Sequence, residues 1–122
     1  MRALPLLLII AGCAAVGESG QAELSRELAN MTAGPAQSCA PSTQSQSLQA
    51  VDNRTLVLRT ANTVWVSRLE GPCPGLTPMS TIIVESFNGQ YCRGDHVSGL
   101  EPGSSIPGAT CPLAEFVPYR AR

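Results

Sequence analysis

The sequence predicts an all-β fold, a small disulfide-stapled barrel or sandwich of about five to six antiparallel strands. From residue 39 onward, short runs rich in Val, Ile, Thr and Trp are separated by Pro, Gly and Asn. Four cysteines lie in this part of the chain. A leader and a flexible or briefly helical tether precede this domain. The predicted boundaries are 1–12 for a lipoprotein signal peptide, 13–38 for the lipidated N-terminus and tether, and 39–122 for the small β domain.

The N-terminus has the features of a secretory leader. The positive charge of Arg2 is followed by an apolar run over residues 3–10, which is too short to span a bilayer as a permanent helix. The next residues, Ile10-Ala11-Gly12-Cys13, resemble the bacterial lipobox, in which small residues precede a cysteine that is lipidated and becomes the mature N-terminus. The resemblance implies a lipid anchor at Cys13 and therefore attachment to a membrane.

Sorting depends on the residue after the lipidated cysteine. By similarity to such lipoproteins, Ala14 lacks the acidic character that retains them at the inner membrane, so we expect an outer-membrane lipoprotein that faces the periplasm. The alternative is an ordinary leader that is cut after Ala15 or Gly17, where small residues stand at the required positions. That cut would release a soluble periplasmic protein.

The predicted tether carries one weak helical signal. Leu24, Leu28 and Met31 fall at positions i, i+4 and i+7 behind a possible N-cap at Ser19. This spacing predicts a brief helix within an otherwise flexible segment.

Six short runs in the β domain are candidate strands. Val, Ile, Thr, Trp and other strand-forming residues recur in them, and no long helical period occurs. Ala61-Asn62 is expected to make a tight hairpin, and Asn88-Gly89 is the stronger hairpin signal because both central positions of a type I′ turn need a positive φ. The candidate strands are residues 47–51, 55–60, 63–69, 81–87, 90–100 and 113–119.

A two-residue loop at Asn88-Gly89 fixes a register between the strands on either side of it. Glu85 then lies opposite Cys92. Arg93 and Asp95, which are two residues apart, share the other face of the strand and are expected to form an exposed ion pair. The tripeptide Arg-Gly-Asp is thereby interpreted as part of a strand and not as an adhesion motif.

The cysteine count fits an exported domain. Assigning Cys13 to a lipid leaves four cysteines, which are expected to form two disulfides in an oxidising compartment. Four cysteines allow three connectivities, and the preferred one pairs Cys73 with Cys92 and Cys39 with Cys111. The chain has no C-x-x-C motif and a single histidine, so no metal and no cofactor are expected.

Charge and side-chain chemistry exclude several functional classes. From residue 39 onward six arginines balance six acidic residues, so no nucleic-acid partner is expected. The chain has no lysine, which excludes lysine-nucleophile chemistry. Ser104 and Ser105 lack the G-x-S-x-G spacing, and their one available base is His96. We therefore expect no catalytic residues and a protein that is not an enzyme.

Four short motifs extend over nearly the whole β domain. They are Asp52-x-x-Thr55, Cys73-Pro-Gly-Leu76, Cys92-Arg-Gly-Asp95 and Cys111-Pro-Leu-Ala-Glu-Phe116. Their order resembles a family of small, uncharacterised Gram-negative bacterial envelope proteins of unassigned function, and the resemblance implies export and a four-cysteine β domain. The expected function is a non-enzymatic envelope lipoprotein that binds, or interacts structurally with, an envelope protein or the cell wall. The alternative is a soluble periplasmic ligand-binding or inhibitor module.

Overall fold

The computed structural model describes residues 16–42, 46–86 and 89–122, together with positions 3 and 5. Cys13 and Asn88 therefore lie outside the described residues, as does nearly all of the predicted leader. The described residues contain one helix and ten strands. They are α1 (Val16–Leu28), β1 (Met31–Ala33), β2 (Cys39–Pro41), β3 (Gln49–Ala50), β4 (Thr55–Arg59), β5 (Thr63–Arg68), β6 (Thr81–Glu85), β7 (Gln90–Cys92), β8 (His96–Leu100), β9 (Cys111–Pro112) and β10 (Phe116–Ala121).

The largest sheet has five antiparallel strands in the order β1-β10-β5-β4-β3. Its centre is the predicted hairpin of β4 and β5, in which Leu58 lies opposite Trp65. The hairpin closes around Ala61-Asn62, where the Thr60 N–H donates to the Thr63 carbonyl at 2.9 Å. The prediction of this hairpin is confirmed. Ala61 and Asn62 form its turn without a positive φ, since none of the described non-glycine residues has one.

Two smaller sheets face the large one. One pairs β2 with β7, and the other has the order β6-β8-β9. The main core joins the layers, because Trp65 and Phe116 of the large sheet pack in one cluster with Ala40 of β2 and Val97 of β8. The predicted all-β fold is confirmed in its sandwich form, and the described residues do not form a closed barrel.

The predicted register of the fourth and fifth candidate strands is wrong. Glu85 lies opposite His96 and not opposite Cys92, because the run 90–100 is divided into β7 and β8. A turn after Cys92 separates the two pieces, and β7 pairs with β2 instead of β6. Asn88 of the predicted type I′ turn lies outside the described residues.

The segment that precedes residue 39 contributes to the fold. Leu24 of α1 is 2% exposed and packs against Val57, Val64 and Val66 on the second face of the large sheet. Strand β1 adds to the same sheet, with Met31 opposite Ala121. This packing follows from the apolar second face of the sheet, which would be exposed to water without the helix.

The helix of this segment begins earlier than the sequence suggests. The backbone of Ser19 lies within α1, which starts at Val16, so Ser19 is not its N-cap, and Met31 belongs to β1. No helix in the described part of the chain has the length and apolar character needed to cross a membrane.

Both disulfides form, but with a connectivity that differs from the preferred one. Cys39 is bonded to Cys92 and Cys73 to Cys111, with Cα–Cα distances of 4.0 and 6.1 Å. Cys39 and Cys92 lie directly opposite each other in the β2–β7 pair, which brings their sulfurs together. The prediction missed this because β2 reads Cys-Ala-Pro, which has no recognisable strand pattern.

The glycine of the Cys-Pro-Gly-Leu motif has a structural role. Gly75 has a φ of 92°, and its backbone lies against Gly99 of β8 and Gly108. A Cβ on Gly99 would collide with the Gly75 carbonyl oxygen. Three chain segments therefore approach each other closely beside the Cys73–Cys111 disulfide.

Candidate binding cleft

A cleft opens where α1 leaves the second face of the large sheet uncovered. Leu24 packs on the part of this face formed by Val57, Val64 and Val66. Val117 of β10 lies opposite Val66 and extends the same apolar surface beyond the helix. Because side chains alternate along a strand, these residues share one face, and they form the floor of the cleft.

Two loops form the walls of this cleft, which has a volume of about 480 Å³. The first is the turn at Arg93 and Gly94, and the second is the segment between β9 and β10. The two loops are joined, because the Gly94 N–H donates to the Leu113 carbonyl at 2.9 Å. The complete lining is Val66, Arg68, Glu70, Arg93, Gly94, Pro112, Leu113, Ala114, Glu115 and Val117.

Four charged side chains line the cleft. Arg93 Nη1 lies 3.1 Å from Glu115 Oε1, and both side chains are largely exposed. Within the part of the chain that the structure describes, the side chains of Arg68 and Glu70 make no hydrogen bond or ion pair. The cleft therefore presents, beside an apolar floor, a guanidinium group and a carboxylate that have no side-chain partner among the described residues.

The turn that carries Arg93 is fixed by backbone hydrogen bonds. The Asp95 N–H donates to the Cys92 carbonyl at 3.0 Å, and Gly94 has a φ of 88°. This combination defines a type II turn, in which the third residue needs a positive φ. The Arg93 N–H also donates to the Ser38 carbonyl at 2.7 Å, which attaches the turn to the chain before β2.

The predicted ion pair between Arg93 and Asp95 is wrong. Arg93 pairs with Glu115, and the Asp95 carboxylate accepts the Cys92 N–H at 2.8 Å. The residues belong to a turn and not to one face of a strand, so the two side chains take separate partners. The Asp95 carboxylate thus stabilises the turn that shapes the cleft.

An ion pair fixes α1 to the large sheet at the last residue of β4. Arg59 Nε and Nη2 donate to the two oxygens of Glu27 at 3.0 and 2.8 Å, and Arg59 Nη1 donates to Gln49 Oε1 at 3.1 Å. The hydrogen bonds from Arg59 hold the pKa of Glu27 below its ordinary value, although partial burial opposes the shift. The bond to Glu27 likewise raises the pKa of Arg59. Glu27 is therefore ionised at neutral pH.

The N-terminal half of α1 has its own contacts. Gln21 Nε2 donates to Asp52 Oδ2 at 2.8 Å and to Thr55 Oγ1 at 2.7 Å. Gly20 lies directly on the Val51 backbone, and a Cβ at this position would collide with the Val51 carbonyl oxygen. These contacts set both the position and the direction of the helix.

The side chains considered for catalysis have separate local partners. His96 Nδ1 lies 3.5 Å from Glu85 Oε2, and both side chains are exposed. The Ser104 hydroxyl donates to the Ile106 carbonyl at 3.2 Å within an exposed loop. Among the described residues, no group of three or more His, Cys, Asp or Glu side chains is placed to hold a metal ion.

The sequence analysis did not identify the cleft. For one of its residues, Arg68, a local pattern could have done so. Arg68 follows Val64 and Val66 at alternate positions of β5, so strand geometry alone places it on the second face. The approach of Glu115 to Arg93 depends on the pairing of Gly94 with Leu113, which joins residues far apart in the chain. No local pattern indicates that contact.

Comparisons with known proteins give a family and no function. A family model described as a family of unknown function, DUF6491, matches residues 1–119, from the predicted leader into β10. Neither the curated proteins nor the solved structures contain a match to the chain.

Proposed function

The chain belongs to DUF6491, a family of unknown function, and from that premise we propose that it is a non-enzymatic lipoprotein of the Gram-negative envelope. Cys13 carries the lipid anchor, the protein faces the periplasm from the outer membrane, and the β domain binds another envelope component. The lipobox-like residues before Cys13 support the anchor. The two disulfides support export, because such bonds persist in oxidising compartments.

The cleft is the binding site in this proposal. The observation that supports it is the free charge of Arg68 and Glu70 next to the apolar surface of Val117. A ligand that matches this lining carries a carboxylate, a cationic group and small apolar side chains. A short peptide has this chemistry, whether it belongs to an envelope protein or to the peptide stems of the cell wall.

The substitution Arg68→Glu tests the cleft. The full chain is mixed with isolated cell-wall sacculi in one arm and with extracted envelope proteins in the other, and the bound fraction is titrated against protein concentration. We expect saturable binding in one arm and a loss of about tenfold in affinity for Arg68→Glu, which corresponds to about 1.4 kcal/mol. Arg26→Glu is the matched control, because Arg26 is exposed and, among the described residues, bonds only the Ala22 carbonyl of its own helix.

Equal binding by Arg68→Glu and Arg26→Glu would show that the cleft is not the site. Binding that does not saturate in either arm would exclude a specific peptide ligand. The two arms also separate the sources of the peptide, since only one contains cell-wall stems.

The mass of the mature N-terminus tests the lipid anchor. The full chain is expressed in a Gram-negative host, and its N-terminal peptide is measured by mass spectrometry. We expect a peptide that starts at Cys13 and carries acyl groups. An unmodified peptide that starts after Ala15 or Gly17 would instead establish the soluble form.

A second candidate function is a soluble periplasmic inhibitor or ligand-binding module, and the loop 101–110 favours it. All ten residues are exposed, and Ile106 at its tip is 79% exposed. The loop is held at its end, because the Gly108 N–H donates to the Gly99 carbonyl at 2.9 Å and Cys111 is disulfide-bonded. A constrained loop with an exposed aliphatic side chain is suited to insertion into a pocket of another protein.

Substitution of the loop tip tests this second candidate. Ile106→Asp is compared with Thr110→Asp, which places the same charge at the base of the same loop. The candidate function predicts that Ile106→Asp abolishes a measured complex with a periplasmic protein and that Thr110→Asp preserves it. Retention of the complex by Ile106→Asp would remove the loop from consideration.

A further inference from the structure

The packing of α1 determines how the domain stands on the membrane if Cys13 is lipidated, and this inference therefore rests on the proposed anchor. We propose that one end of the large sheet, formed by residues 52–54 and 69–72 and called here the proximal end, faces the lipid surface directly. The opposite end, at the β4–β5 hairpin, then points into the periplasm. The argument depends on the direction of α1 and on the short connection from Cys13 to the helix.

Helix α1 runs alongside β4 in the same direction. Near its start Gln21 bonds Thr55, the first residue of β4, and near its end Glu27 bonds Arg59, the last residue of β4. Leu24, between them, packs on Val57. The helix N-terminus therefore points past Thr55 toward the proximal end.

The connection to the anchor is short. Three residue steps separate Cys13 from Val16, where α1 begins, and a fully extended chain covers about 11 Å in three steps. A flexible tether over residues 13–38 would instead give a root-mean-square reach of roughly 25–30 Å. Because α1 is packed on the sheet, most of that reach is lost and the proximal end is held near the bilayer.

Hydrogen bonds connect the two segments that form the proximal end. The Leu69 N–H donates to the Arg54 carbonyl at 2.8 Å, and the Cys73 N–H donates to the Asn53 carbonyl at 2.7 Å. The Arg54 guanidinium group bonds the carbonyls of Leu69 and Glu70 at 3.0 and 2.8 Å. These bonds satisfy backbone groups that would otherwise face the membrane surface.

Charge does not explain the orientation. Arg54 and Arg68 are exposed at or beside the proximal end, but Asp52 and Glu70 balance them. We therefore attribute the orientation to the short connection and not to attraction by anionic headgroups. The binding cleft includes Glu70 of the proximal end and the adjacent Arg68, so the cleft lies close to the membrane surface in this orientation.

A fluorescent amino acid at residue 71 or residue 62 tests the orientation. Gly71 lies at the proximal end, where an added Cβ meets no atom within 4 Å, and Asn62 is exposed in the β4–β5 hairpin. The full chain is expressed with its own leader, recovered from membranes and reconstituted in vesicles of phosphatidylethanolamine and phosphatidylglycerol. The vesicles contain lipids with a nitroxide quencher on the headgroup.

We expect quenching at residue 71 to exceed quenching at residue 62 by about threefold or more, because strand geometry separates the two probes by about 20 Å and nitroxide quenching is short-ranged. Equal or reversed quenching in acylated protein would overturn the orientation and leave the lipid anchor intact. Protein without acyl groups on Cys13 would overturn the anchor and the orientation together. The N-terminal mass, measured first, distinguishes the two failures.

A linker variant provides the matched control. Insertion of about twelve Gly and Ser residues after Ala15 adds roughly 20 Å of root-mean-square reach without changing the folded residues. The ratio of quenching at residue 71 to quenching at residue 62 should then decrease to about one. A difference that persists in the linker variant would show that the protein surface itself binds lipid and would contradict the role of the short connection.

Discussion

Gly94 shows how a single backbone angle determines the shape of the candidate site. Its φ of 88° allows the type II turn that places Arg93 on the wall of the cleft. An added Cβ would meet no atom within 4 Å, so packing does not require glycine here. The sequence places this residue in a strand, and only the tertiary structure shows the turn.

Gly94→Ala is expected to destabilise the protein by about 1–2 kcal/mol, because an L-residue at a positive φ is strained. Gly71→Ala is the matched control, since its Cβ also meets no atom and its φ is not in the left-handed region. We expect Gly71→Ala to leave the free energy of unfolding unchanged or to increase it by about 0.4–1 kcal/mol. Urea unfolding with the disulfides intact measures both. Equal effects of the two substitutions would contradict the assigned turn.

At the scale of elements, the long hydrophobic runs are predictable and the short strands are not. Strands β4 and β5 lie within the predicted runs 55–60 and 63–69, because their residues favour strands and are buried in the sheet. Strands β1 and β2 have three residues each and no pattern of their own. Strands β1 and β2 form because they pair with the free edges of β10 and β7, respectively. Those edges belong to distant parts of the chain, so a local pattern does not predict the pairing.

The ion pair that fixes α1 makes its packing depend on pH. The pKa of Glu27 is lowered in the folded protein by Arg59, so the stabilisation is complete above the ordinary carboxyl pKa and is lost as the pH falls through the lowered pKa. Arg59 remains charged throughout this range, because its own pKa is raised. We expect Glu27→Gln to lower the free energy of unfolding at pH 7 by about 0.5–1 kcal/mol, a modest value because both side chains are partly exposed.

The same difference should decrease toward zero in acid, because protonation removes the charge from the wild-type side chain. Urea unfolding of the two proteins at a series of pH values measures it. Glu23→Gln is a control, since Glu23 lies on the same helix and makes no ion pair among the described residues. A difference that is independent of pH would show that packing, and not charge, explains the effect of Glu27→Gln.

At the scale of the whole molecule, the disulfides join segments that are far apart in sequence. One crosses the β2–β7 pair, and the other joins the segment before β6 to β9. Cys39–Cys92 spans 53 residues of sequence and Cys73–Cys111 spans 38. Loop-entropy estimates give about 4 kcal/mol for each, which is comparable to what a core of this size supplies alone. The fold therefore depends on both bonds.

Paired substitutions test the connectivity. Replacing Cys39 and Cys92 by Ser removes one disulfide and should cost about 2–4 kcal/mol, with Cys73–Cys111 preserved. Replacing Cys73 and Cys92, the pair preferred from the sequence, breaks both bonds and should abolish the cooperative unfolding transition. Urea unfolding measures stability, and peptide mapping without reductant identifies the remaining bond. If replacing Cys73 and Cys92 lowers stability less than replacing Cys39 and Cys92, the result would support the pairing preferred from the sequence.

Several features of the protein follow directly from its sequence through local physical chemistry. The strand-forming runs predict an all-β domain, the four cysteines from residue 39 onward predict two disulfides, and Ala61-Asn62 predicts the central hairpin. The strands and the hairpin depend on residues that are close together in the chain, where side-chain alternation and turn chemistry act directly. The number of disulfides follows from the cysteine count alone.

Which of these parts contact each other is a property of the tertiary structure and not of any local segment. The division of 90–100 into β7 and β8, the bonding of Cys39 to Cys92, and the cleft beside Val117 all require contacts between distant residues. The same holds for α1, whose weak helical pattern gives no indication that it covers the large sheet. Such contacts are selected by the burial of apolar surface in the whole molecule, and no short stretch of sequence contains that information.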